Sequence, residues 1–182
     1  MVKKQFACVC FCLGICLPIL AEEDVIFAAL KSPAASYKDK MSALKQSGHY
    51  EAALLMDVLL DRSACSGLTE AQERSYLNEV MNHLREFDDP ERDLAKTLVL
   101  LARDHERDPA VREYAIQHLG LVYNKSGSRH FILESLMELA TDERLATASL
   151  LQLHHLRRSG VAVDDGTYSA LVITASGRES MR

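Results

Sequence analysis

The chain has 182 residues, 48% of them hydrophobic and 26% charged, with no tryptophan. That composition suits one globular domain with a sizeable core and excludes disordered, collagenous and multi-span membrane classes. Its 21 Lys+Arg against 26 Asp+Glu leave a net charge of -5, which argues against a protein built to neutralise nucleic-acid phosphates.

Residues 1–21 read as an export leader. Lys3 and Lys4 make a positive start, Phe6 to Leu17 is apolar apart from Gly14, Pro18 breaks the run, and Ala21 precedes the acidic Glu22-Glu23-Asp24. The run is shorter than the roughly 20 apolar residues a transmembrane helix needs. The expectation is therefore a secreted or periplasmic protein cleaved near Ala21, with no membrane span afterwards. An uncleaved leader would instead anchor the chain, and Leu13-Gly14-Ile15-Cys16 is similar to a bacterial lipoprotein box that would lipidate Cys16. Without the leader, 19 basic residues face 26 acidic ones, a net charge of -7. Of the five cysteines only Cys65 remains, so no disulfide forms within one chain and no cysteine cage holds zinc. Cys65 falls in the polar stretch Asp61–Gly67 and reads as a passive loop cysteine.

The remainder, residues 22–182, is punctuated as one series of helices. Helices are expected near 22–31, 34–47, 49–62, 69–87, 90–105, 109–124, 128–140, 143–158 and 165–176. Thr69-Glu70-Ala71-Gln72 has capping-box spacing. Pro90 and Pro109 each follow an aspartate, which places Asp at an N-cap and Pro at the first helical position. Gly48, Gly127, Gly160 and Gly177 stand where helices should stop, with Arg157-Arg158 as cations before one such end. Strand signals reduce to Val161-Ala162-Val163, too little for a sheet. Short polar loops make neighbouring helices antiparallel hairpins.

An offset of 34 residues superposes two of these segments. Val111 falls on Leu145, Ala115 on Ser149, Ile116 on Leu150, Leu119 on Leu153 and Val122 on Leu156. A period of this size belongs to helical arrays in which each hairpin covers the next.

Asp108-Pro109-Ala110-Val111-Arg112 through Ala115 to Leu119-Gly120 resembles the second helix of a HEAT repeat, and Asp142 to Leu156 resembles a degenerate copy. Gly48-His49-Tyr50-Glu51-Ala52-Ala53-Leu54 is similar, more weakly, to part of a tetratricopeptide repeat. The resemblance implies an all-α, right-handed stack of helical hairpins, with HEAT-like units clearest at 90–158. It also implies a module that binds proteins or peptides, with second helices lining the concave surface. If Val111, Ala115, Leu119 and Val122 face the core, Glu113, Gln117 and Asn124 lie opposite, because each helical residue turns by about 100°. The offset extends that face to Thr147, Leu151 and Arg158, with His154 beside them.

Catalytic signals are missing. His154-His155 are adjacent and cannot chelate as an i, i+4 pair would. Asp104 to Asp108 reads as a solvated loop, and no G-x-S-x-G, phosphate loop or H-E-x-x-H occurs. The expectation is an exported binding or scaffolding module without cofactor or metal, with a protein or peptide partner and no nucleic acid. The alternatives are an exported enzyme or enzyme accessory with an unrecognised helical site, and an envelope-anchored structural subunit. Among HEAT-like proteins, lyases handling bilin pigments are the precedent for the first of these.

Overall fold

A computed structural model describes residues 20–47, 52–87 and 91–179; the leader segment 1–19, Gly48 and Pro90 lie outside them. The described residues are helical throughout their ordered elements. These are α1 (Leu20–Lys31), α2 (Tyr37–Gln46), α3 (Ala52–Leu60), a 3-10 turn (Arg62–Cys65), α4 (Glu70–Glu86), α5 (Glu91–Arg103), α6 (Pro109–Val122), α7 (Arg129–Leu139), α8 (Ala146–Arg158) and α9 (Asp165–Glu179). The all-α expectation holds.

The caps explain the boundaries. Thr69 and Gln72 close a reciprocal capping box at α4, and Asp108 accepts from the Ala110 amide at 2.8 Å ahead of Pro109. Gly160 takes φ +88, the left-handed conformation that glycine adopts cheaply after a helix. Three expected boundaries move by three residues. α2 starts at Tyr37 because Ser36 is its N-cap, its hydroxyl accepting from the Asp39 amide. α8 starts at Ala146, because Asp142 turns inward on the Arg144 amide and keeps the preceding residues in a turn. Gly177 does not stop α9, which runs on to Glu179.

α1 packs on α2, α3 on α4, α5 on α6 and α7 on α8, while α2, α4, α6 and α8 also touch in that order. These second helices run parallel, since their contacts keep register from end to end. Tyr37 Oη lies 2.9 Å from Ser75 Oγ at the starts of α2 and α4, and Ser47 Oγ lies 3.1 Å from His83 Nε2 near their ends. Arg74 Nε lies 3.1 Å from Asp108 where α4 and α6 begin, and Lys125 Nζ donates to the Arg85 carbonyl where they finish. The first helices are tied at their carboxyl ends: Arg62 Nη2 lies 2.7 Å from Asp104, and Arg103 Nη2 lies 2.5 Å from Glu138.

One continuous core runs from Leu30 to Leu156. The five superposed pairs share their fate in all but one case: Val111 with Leu145, Ala115 with Ser149, Leu119 with Leu153 and Val122 with Leu156 are all buried. Ile116 is buried but Leu150 only partly so. Each such leucine or isoleucine removed from water contributes about 1.5–3 kcal/mol.

Candidate functional site

The site begins with the helices that carry it. α6 and α8 approach closely at Gly120, where an added Cβ would come within 3.3 Å of Gln152 Cβ and 2.3 Å of its Oε1. A side chain there would displace the Gln152 amide from its place against α6. Arg112 anchors the same pair from below. Buried in α6, it donates from Nε to the Ala102 carbonyl at 2.7 Å and holds Nη2 3.5 Å from Asp142.

With the inner face fixed, the outer face follows from helical geometry. Glu113, Gln117, Asn124, Thr147, Leu151, His154 and Arg158 are all exposed. Glu113 and Gln117 lie on α6, Asn124 in the turn after it, and the other four on α8. Because α6 and α8 are adjacent and parallel, the two rows lie side by side. His154 leans toward α9, its Nδ1 3.4 Å from Tyr168 Oη.

The same face holds residues that sequence reasoning passed over. Leu121 is 54% exposed, more than Leu151 at 49%; it lies one turn beyond Gln117, so the spacing alone could have found it. Lys125 and Arg129 stand just beyond the end of α6, Arg129 donating to the Asn124 carbonyl at 2.9 Å. Elsewhere a shallow hollow of about 110 Å³ lies between α2 and α4, lined by Met41, Leu44, Lys45, Glu79, Asn82, His83 and Glu86.

Two polar stretches are more structured than their composition suggests. The passive reading of Cys65 agrees with its burial, although it is not in a loop. It sits in the 3-10 turn at 3% exposure, and burial, reinforced by the charge of Glu73, pushes its thiol up to about 11 against the opposing pull of Arg107 and Lys40. A thiol with that pKa is almost wholly protonated at neutral pH and makes a poor nucleophile. The run Asp104 to Asp108 is likewise not a plain solvated loop. Arg107 is buried, donating to Glu73 Oε1 and to the Leu59 carbonyl, both at 3.0 Å. Burial alone would raise the Asp104 carboxyl, but hydrogen bonds from Arg62 and the Glu106 amide outweigh it and hold it below the usual range.

Among the described residues, no group of three or more His, Cys, Asp or Glu side chains is placed to hold a metal ion, and no helix is long and apolar enough to cross a membrane. No protein family, curated protein or solved structure matches the chain.

Proposed function

We propose that the protein is an exported helical-repeat module, a short right-handed HEAT-like solenoid, which binds a protein or peptide on the exposed face of its second helices α6 and α8. The observation that carries the reading is the parallel alignment of α6 and α8. It sets Glu113, Gln117 and Asn124 beside Thr147, Leu151 and Arg158 in two exposed rows, with Leu121 in the α6 row between Gln117 and Asn124. Extended faces of this kind, made of equivalent residues on successive hairpins, are what helical arrays offer to partners. Support for the repeat comes from the shared burial of the superposed residues and from a recurring link: Arg74 of α4 meets Asp108, and Arg112 of α6 meets Asp142, each arginine reaching an aspartate before the next second helix. Support for export remains the Lys3-Lys4 start, the apolar run and Ala21.

The experiment is affinity capture of the tagged, processed protein from the cell envelope, with mass spectrometry of what it retains and N-terminal sequencing of the bait. Stoichiometric recovery of a specific protein and an N-terminus near Glu22 are expected. An intact Met1 would remove export, and a bait that retains nothing above an untagged control would remove binding.

A further inference from the structure

We infer that the segment received by the α6–α8 face is an acidic peptide with apolar anchors. The inference rests on the binding role proposed for that face and adds the chemistry of its partner. Most of the arginine–carboxylate pairs among the described residues lie at one edge of the molecule. At the edge where α5 and α7 end and α4 and α6 begin, arginines are matched to carboxylates: Arg74 to Asp108, Arg107 to Glu73, Arg62 to Asp104 and Arg103 to Glu138. At the opposite edge, where α6 and α8 end, Lys125, Arg129 and Arg158 are exposed. There Lys125 donates to the Arg85 carbonyl, and Arg129 donates to the Asn124 carbonyl and lies 6.0 Å from the Tyr123 ring centroid. None of the three pairs with a carboxylate among the described residues. Arg157, which precedes Arg158 on α8, is by contrast paired with Asp165.

The helix dipole favours Lys125 and Arg158 near the carboxyl ends of α6 and α8, but not Arg129, which opens α7. That preference does not explain the two exposed leucines beside them, Leu121 one turn from Lys125 and Leu151 two turns from Arg158. A peptide whose leucine-like side chains cover Leu121 and Leu151 would bring its carboxylates to Lys125, Arg129 and Arg158. A basic peptide would meet three like charges instead, and like-charge contact suppresses wrong partners. Glu113, at the far end of the strip, repels carboxylates and so sets the direction: the acidic end of the peptide lies at the ends of α6 and α8.

The test is fluorescence anisotropy of the full chain with three labelled peptides. One is built of glutamates with leucines at helical spacing, the second replaces its glutamates by lysines, and the third replaces its leucines by serines. The glutamate–leucine peptide should bind more tightly than both others, should weaken as salt rises, and should lose about tenfold in affinity with Lys125→Glu combined with Arg158→Glu. Equal or tighter binding of the lysine peptide, no binding of the glutamate–leucine peptide, or an undiminished affinity in the double variant overturns the inference. So does sedimentation with phosphatidylserine vesicles in place of peptide binding. If the lysine peptide binds and Leu121→Ser with Leu151→Ser abolishes that binding, the face stands and only the acidic chemistry falls. If bound peptide ignores both double variants, the face falls as well.

Discussion

Arg112, in the first turns of α6, is almost wholly buried yet reaches out of its own hairpin. Its Nε donates to the Ala102 carbonyl within the hairpin, while Nη2 lies 3.5 Å from Asp142 ahead of α8. One side chain thus ties the α5–α6 hairpin to the next. Removing it should leave a buried carbonyl without its donor and a partly buried carboxylate without its cation. Arg112→Met, which keeps most of the volume, is expected to cost about 2–3 kcal/mol. Urea unfolding checks this, and an unchanged midpoint would show that the link contributes nothing.

Lys40 plays a similar part at the other end. Its ammonium is buried and donates to the carbonyls of Ala29, Leu30 and Ser32 at 3.3, 3.1 and 2.7 Å, closing the last turn of α1. Burial lowers its pKa. Lys40→Met should destabilise by about 2 kcal/mol, since three carbonyls lose a donor. Amide hydrogen exchange should quicken first in α1, the helix that loses its closure.

How much of this was legible in the sequence differs by kind of residue. The caps were readable because they act over two or three positions: Thr69 with Gln72, Asp108 with the Ala110 amide. The buried rows of α6 and α8 were readable because the 34-residue offset repeats them. Lys40, Arg107 and Arg112 were not, because each is held by groups on another helix, such as Leu59 for Arg107 and Ala102 for Arg112. No local pattern marks a cation whose partners are set by how helices meet. The exposed face was legible as the complement of the core, whereas the burial of Cys65 was not, because its polar neighbours mask a thiol turned away from water.

His118 gives the stability a pH dependence. Its Nε2 lies 3.2 Å from Asn78 Oδ1, its Nδ1 has no hydrogen-bond partner, and burial, with the nearby Arg85 charge, lowers its pKa to about 4. The unfolded chain, titrating near the ordinary histidine value of 6.5, binds the proton more readily than the folded one. This contribution is therefore fully present above about pH 6.5 and is lost as pH falls toward 4, by about 3 kcal/mol in all. Unfolding free energies measured across that window should show the slope, and His118→Gln should remove it.

Cys65 should resist modification in the folded protein. With the thiol buried and its pKa raised to about 11, iodoacetamide at neutral pH should label it slowly, at a rate set by opening of the structure. Labelling in denaturant should be fast. Mass spectrometry of the alkylated protein reads both rates, and equal rates would place the thiol at the surface.

The binding role of the α6–α8 face is tested most directly by repeating the capture with Gln117→Glu, Leu151→Glu and Arg158→Glu combined in one variant. All three positions are exposed, so circular dichroism should show unchanged helicity. The folded variant is expected to lose the partner retained by the unaltered protein. Recovery of that partner at full yield would contradict the assignment of this face.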